Sequence, residues 1–466
     1  MTERRPDIVL VVFDTARRDR FGCYGCARPT TPTTDSLASA GLVADTMIAN
    51  GPWTLPSHAS LFTGLYPSQH GAQWQTGRRL NGSVDLTLAE FLHGLGYETV
   101  CATNNGLISS GTGLARGFDR HAHRVDLEGR WRRQVRQVEK LVMGGDSGGQ
   151  VINEWIREQV ASVRSPMFLF VNYLECHWPY APPRRIHRAV GGRRFGAIAE
   201  ARYRLDLARR IGPWDAIGSA DETSLGVYSS LYDAEHRNVD GHLSQLLEIL
   251  RSTGHLRDGE TIVIVTSDHG DHIGEHGLAD HQASLDDHLV RVPFIAWGPG
   301  IVKPGRREAT SEFVDVLPSL AGLLGVEPPA GLTGRRTDLF APNGSSGSTD
   351  LAFAEWRSWD EQDVVRVSGR NPRYDFSRLV RDLVCVRGER FKLVRSGDGR
   401  DELFDLAEDP AEERDVSADH PAEKDRLRTA LDRELASWST REAAGAGLSD
   451  EHSEEIERHL AELGYL

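Results

Sequence analysis

Four short apolar runs constrain this chain more than any other feature of its sequence. They are Ile8 to Phe13, Met167 to Tyr173, Thr261 to Thr266 and Val292 to Ala296, rich in Val, Ile and Phe and separated by stretches long enough to hold helices. Continuous apolar character marks strands buried on both faces, and helix-length connections are what parallel neighbours require. The expectation is therefore an α/β fold on a large, mostly parallel central sheet flanked by helices. Two of the runs end directly in Asp14 and Asp268, and a third leads within a few residues to His177. Ligands bind beyond the carboxyl ends of the strands in open α/β sheets, so these side chains can converge although they lie far apart in sequence.

Thr54 fits the same place. In the segment Trp53 to Gly64, WTLPSHASLFTG, Pro56 and Ser57 are residue types expected at a helix start, and Gly64 suits the position just past its end. Thr54 is thus expected at or just before a helix N-terminus, where unpaired N–H groups and the macrodipole favour an anion. A Thr hydroxyl is a weak nucleophile at neutral pH. Coordination to a metal is one of the few ways to activate it.

The same segment resembles the nucleophile segment of the type I sulfatases of the alkaline phosphatase superfamily. There it runs Cys, any residue, Pro, Ser, Arg, and the Cys is oxidised to formylglycine, an aldehyde that hydrates to a geminal diol. Thr54 stands at the Cys position and His58 at the Arg position. The opening stretch IVLVVFDTARRDRFGCYG resembles the family's first strand and its metal-binding acid pair, with Asp14 keeping the first acid and Thr15 replacing the second. TIVIVTSDHGDHIGEHG resembles the second metal motif, with His269 after Asp268 as in phosphonate monoester hydrolases and phosphodiesterases of the superfamily. ELFDLAEDPAEERDV, from Glu402 to Val416, resembles the C-terminal signature.

The resemblance implies an alkaline phosphatase-like sandwich with a small C-terminal α+β subdomain built on an antiparallel sheet. It also implies one divalent metal ion held by Asp14, Thr54, Asp268 and His269. Imidazole beside carboxylates counts against all-oxygen sites, so Mn²⁺ or Zn²⁺ is expected, with Ca²⁺, Mg²⁺ and Fe²⁺ as alternatives. A second ion would need Asp233, His236 and His242, but YDAEHRNVDGHLSQLL reads as an ordinary amphipathic helix with a solvated polar face. By position relative to the family's motifs, His177 in ECHWPYAPP and His281 are expected to contact the transferred group or protonate the leaving oxygen. Gln75, Asn104 and His58 are expected to bind substrate around it. His272 and His276 are assigned to loop structure.

The Thr-for-Cys exchange changes the expected chemistry. A sulfated diol expels sulfate by collapsing to the aldehyde, whereas a Thr ester has no second hydroxyl to drive that collapse. A phosphorylated Thr can be opened by water at phosphorus. The expected activity is hydrolysis of phosphate or phosphonate mono- or diesters through a phospho-threonine. The alternatives are a sulfatase or sulfamate or sulfonate ester hydrolase without formylglycine, a phosphotransferase or lyase in a specialised biosynthetic pathway, and a non-catalytic binding protein.

Composition bounds the rest. With 466 residues, the chain is long enough for one large core and a smaller appended unit, divided here as a catalytic region over 1–341, a linker over 342–350 and a subdomain over 351–466. The linker reading rests on PNGSSGSTD. The net charge of −14 argues against nucleic acid as partner and leaves a small anionic ester as the expected ligand. A basic insertion over about 124–215 includes RWRRQVRQVEK at Arg130 to Lys140. It also includes Arg184 to Arg210, which holds nine Arg against Glu200 and Asp206 and reads as a solvated face or a lid that gathers anions. Five Cys without framework spacing and no visible secretion signal point to the cytoplasm, and no segment has the length of a membrane span. Cys23 and Cys26 form a CxxC that belongs to a turn and carries no metal or redox role. Oligomeric state leaves no signal.

Overall fold

The computed structural model describes residues 5–74, 78–82, 84–127, 144–164, 166–191, 203, 213–218, 220–334, 339–342, 351–369 and 375–438. Gln75, the basic stretch 130–140, most of 192–212, residues 343–350 of the expected linker and the helix expected over 450–463 lie outside them.

Among the described residues an eight-stranded sheet forms the centre, in the order 305–307, 42–44, 294–297, 261–266, 7–13, 167–173, 98–103, 120–123. Asp7–Phe13 is its middle, pairing in parallel with Met167–Tyr173 on one side and Thr261–Thr266 on the other. All three are buried along their whole length. Their unbroken Val, Ile, Leu and Phe content follows from helices covering both faces. Glu98–Thr103 continues the parallel order and ends just before Asn104 and Asn105.

One expected strand runs the other way. The segment expected over Val292 to Ala296 forms Phe294–Trp297, which is antiparallel to Thr261–Thr266. The chain between them contains only short two-residue strands and single helical turns, with no long crossover helix, so it re-enters the sheet from the end at which it left.

Glu222–Ser252, the longest helix, packs on Gly149–Val160 and on Pro32–Ala40. The amphipathic reading of this stretch holds, but its polar face is not solvated. Asp233, Glu235, His236, Asn238, Asp240 and His242 are all buried. Asp240 accepts the backbone N–H groups of Thr33 and Thr34 at 2.8 Å, capping a neighbouring helix, and Glu235 accepts the Ala181 N–H at 2.8 Å.

Beyond the main sheet, Ala352–Trp356, Leu383–Arg387, Phe391–Ser396 and Asp401–Asp405 form an antiparallel four-stranded sheet. The period-two alternation of a strand divides its side chains. Ala352, Ala354, Trp356 and Cys385 join the main core, while Phe353, Val386, Leu393 and Leu403 pack with Leu427 and Leu431 of the helix Pro421–Trp438. No helix of the described residues is long and apolar enough to cross a membrane.

Candidate active site

The three central strands deliver their following residues to one end of the sheet. There the ligand atoms of Asp14, Asp268 and His269 lie within 4.8 Å of one another, all fully buried. Thr54 joins them as the first residue of the helix Thr54–Thr63, with Trp53 as its N-cap and Gly64 ending it at φ 65°, a conformation glycine adopts without steric cost. Thr54 Oγ1 is 3.5 Å from His269 Nε2.

The donors fit a divalent cation. His269 Nδ1 lies 2.9 Å from the Gly270 carbonyl, which fixes the proton there and leaves Nε2 as the lone-pair atom facing Thr54 and Asp268. Asp268 Oδ1 accepts the backbone N–H groups of Thr15 at 2.9 Å and His269 at 3.0 Å. Its Oδ2 has no hydrogen-bond partner among the described residues, although it lies 3.2 Å from His269 Nε2. A fully buried carboxylate oxygen without a donor is costly unless a cation takes its place. Thr15, at the position of the missing second acid, has φ 64° and donates its hydroxyl to Asp14 Oδ1 at 2.9 Å.

Asn105, which the sequence reading did not single out, binds two parts of this centre. Its Nδ2 is 2.8 Å from Asp14 Oδ2 and 3.2 Å from Thr54 Oγ1. Asn104, expected to line the site, instead donates its amide to the Ser147 carbonyl at 3.3 Å. The strand Glu98–Thr103 ends one residue earlier, and the backbone turns so that the second of the two Asn faces inward. Asn172, the single amide in MFLFVNY, also donates to Asp14 Oδ2, at 3.1 Å.

His58 sits one helical turn below Thr54, donating Nδ1–H to the Thr54 carbonyl at 2.8 Å and lying 3.5 Å from Asp268 Oδ2. Its ring meets the edges of Phe62 and Phe170. It therefore touches the Thr54 backbone and the Asp268 carboxylate from below.

His281 and His177 close the other side. The His281 ring lies 4.2 Å from that of His269 and 5.3 Å from that of His177. Burial opposes a charge on His281, but Asp280 at 2.6 Å and Asp271 at 3.5 Å raise it to about 10. His177 is pushed the other way, by burial first and then by the His281 cation. Asp271 and Asp280 were missed by the sequence reading, though each stands next to a histidine in GDHIG and ADHQA. Below the site Arg17 binds Glu275 at 2.5 Å and Asp19 at 2.9 Å.

The set that a second ion would have needed, Asp233, His236 and His242, does not assemble. Asp233 pairs with Arg20 at 3.2 Å, and His236 lies 2.9 Å from the Tyr232 carbonyl, wedged against Phe21. His242 faces Asp146 and Glu175 instead. The cysteines among the described residues are free, Cys23 and Cys26 included.

The Sulfatase family model matches residues 6–326. The chain is 26% identical to the uncharacterized sulfatase YidJ of Escherichia coli, over 88% of this chain and 82% of that protein. It is 23% identical to the Delta 4,5-hexuronate-2-O-sulfatase of Bacteroides thetaiotaomicron, over 90% of this chain and 85% of that one. Its fold is similar to that of the phosphonate monoester hydrolase of Agrobacterium radiobacter, with a TM-score of 0.72 and 22% identity over 94% of this chain and 96% of the other.

Proposed function

We propose, from the premise that this chain belongs to the sulfatase family of ester-bond hydrolases, that it hydrolyses phosphate or phosphonate esters with Thr54 as its nucleophile. The observation that carries this reading is the residue at the head of the helix Thr54–Thr63. It is an alcohol, held by Asn105 and facing His269 Nε2, where the family's oxidisable Cys would stand. Thr offers no geminal hydroxyl through which a sulfate ester could collapse, whereas its phosphate ester is open to water at phosphorus.

A divalent ion on Asp14, Thr54, Asp268 and His269 would lower the pKa of the Thr54 hydroxyl and offset charge on the transferring group. The chain's own residues do the rest. Asn105 fixes the Thr54 oxygen, and the helix N-terminus behind it favours the anionic group that arrives. With the Thr54 hydroxyl proton given up to solvent, which the lowered pKa would allow, Thr54 Oγ1 bonds to phosphorus as the bond to the ester oxygen breaks, and His281 is the protonated group suited to supply that oxygen with a proton. His177 lies 2.8 Å from the Trp178 carbonyl through Nδ1, so its Nε2 is the acceptor suited to take a proton from the water that opens phospho-Thr54.

A second reading is a sulfate-ester hydrolase that does not use formylglycine. It is favoured by the curated relatives, both of those compared above being named sulfatases. Parallel assays with nitrophenyl phosphate, phosphodiester, phosphonate and sulfate decide between the two. The expected result is kcat/KM for a phosphorus ester at least ~100-fold above that for sulfate, a difference of about 2.7 kcal/mol in transition-state binding. Thr54→Ala should abolish turnover with metal content unchanged, and mass spectrometry of quenched wild-type protein should place phosphate on Thr54. A sulfate preference, or full activity of Thr54→Ala, would remove the proposal.

A further inference from the structure

A second buried cluster of donors lies at the same end of the sheet. His242 comes from the helix Glu222–Ser252, Glu175 from the loop that follows Met167–Tyr173 and leads to His177, and Asp146 from the turn before Gly149–Val160. His242 Nε2 is 3.0 Å from Asp146 Oδ1 and 3.7 Å from Glu175 Oε1. The backbone closes the third side. The Gly149 N–H donates to Asp146 Oδ1 at 2.9 Å and to Glu175 Oε1 at 3.0 Å, and a Cβ at Gly149 would fall 2.5 Å from the His242 ring. The backbone at this turn can come so close only because residue 149 lacks a side chain.

Two further observations point to a ligand. Both ring nitrogens of His242, a residue 6% exposed, lack a well-aligned hydrogen bond among the described residues, although burial is outweighed by the facing Asp146 and Glu175, which raise the ring to about 9 when no ion is bound. Glu175 Oε2, in a fully buried side chain, also has no partner. Without an ion, burial and the neighbouring Asp146 push the Glu175 carboxyl up to about 7, against the pull of His242. Once a divalent cation displaces the His242 proton, its charge balances the two carboxylates.

We propose that Asp146, Glu175 and His242 form a second divalent-cation site, separate from the Asp14, Asp268 and His269 set, for a borderline transition ion such as Zn²⁺. With metal–ligand bonds of about 2.0–2.2 Å, ligand atoms around a tetrahedral Zn²⁺ lie roughly 3.3 Å apart. The distances of 3.0 and 3.7 Å bracket that value. Such an ion ties the glycine-rich turn at 144–149 and the long helix to the loop that carries His177. It joins three segments that are distant in sequence, and its role is to hold that loop in place.

The test uses Zn²⁺ alone on the full chain. After equilibrium dialysis, Asp268→Asn, which removes a ligand of the first site, should keep one equivalent, and Asp268→Asn/His242→Gln should keep none. In wild-type crystals grown with Zn²⁺, the anomalous map at the zinc edge should show a peak between Asp146, Glu175 and His242. No retained equivalent in Asp268→Asn, an equivalent still kept by Asp268→Asn/His242→Gln, or a map without that peak would overturn the assignment. So would a peak seen in the crystal with no ion kept in dialysis. Should the double variant fail to fold, the wild-type map decides.

Discussion

Asn105 is the residue that links Thr54 to the carboxylates at the sheet end. One amide nitrogen holds both the Asp14 carboxylate and the Thr54 oxygen, so under the proposed function it would tie a ligand of the ion to the attacking atom. Asn105→Ala should lower kcat by about 10–100-fold with a smaller change in KM, as expected when an outer contact that orients ligands is lost. Asn104→Ala should move kcat by less than about threefold, and steady-state kinetics on the two variants checks both. That Asp14, Thr54, Asp268 and His269 come together was legible in sequence because each stands at a strand or helix end within a long motif. Asn105 was not, since choosing between adjacent amides requires the turn after Thr103 to be known to one residue. Arg17 offers a second test. Burial pushes the Glu275 carboxyl up, yet the Arg17 guanidinium outweighs it and brings the group to about 2. Its folded value is depressed, so its contribution is present above about 4.5 and lost as pH falls towards 2. Glu275→Gln should cost about 1.5–3 kcal/mol at pH 7, and urea melts should show the gap from wild type closing between those two pH values.

The elements that carry the site are held by contacts that periodicity does not reveal. Parallel strands were readable as apolar runs, but direction was not, and Phe294–Trp297 proved antiparallel because the chain before it lacks a crossover helix. The long helix was readable as amphipathic. The burial of its polar face follows from the capping and ion-pairing partners that other segments bring to it, which no local pattern encodes. The C-terminal sheet is fastened in the same way. Lys392, fully buried, reaches Asp287 at 3.2 Å and Glu412 at 2.9 Å, while Arg387 reaches Asp287 at 3.1 Å. Glu412 belongs to the C-terminal signature, whose part here is to anchor this sheet to the segment that follows His281. Lys392→Met should destabilise the chain by about 3–5 kcal/mol, because it leaves the buried Glu412 carboxylate with the Asp287 N–H but without its counter-charge. Lys392→Met/Glu412→Gln should recover part of that loss, and denaturant midpoints of the two variants measure it.

At the scale of the whole molecule, ion binding at either candidate centre would be coupled to folding. The Asp14, Thr54, Asp268 and His269 donors come from three separate segments that meet only when the sheet is complete, so no such site exists in the unfolded chain. A ligand that binds the folded state alone stabilises it by RT ln(1 + [L]/Kd), about 2.7 kcal/mol at one hundred times Kd. Added Mn²⁺ or Zn²⁺ should therefore raise Tm, and a chelator should lower it and abolish turnover. Thr54→Ala should keep most of the rise, since two carboxylates and an imidazole remain, while Asp268→Asn should lose the share owed to this centre. If Asp146, Glu175 and His242 hold a second ion, Asp268→Asn keeps a smaller rise with Zn²⁺ that disappears only when Asp146 is also replaced. Thermal melts of the four proteins at fixed ion concentration separate the two contributions. A Tm indifferent to both ions and to chelator would show that neither cluster of carboxylates and imidazole is a metal centre, and would leave the buried Oδ2 of Asp268 without its counter-charge.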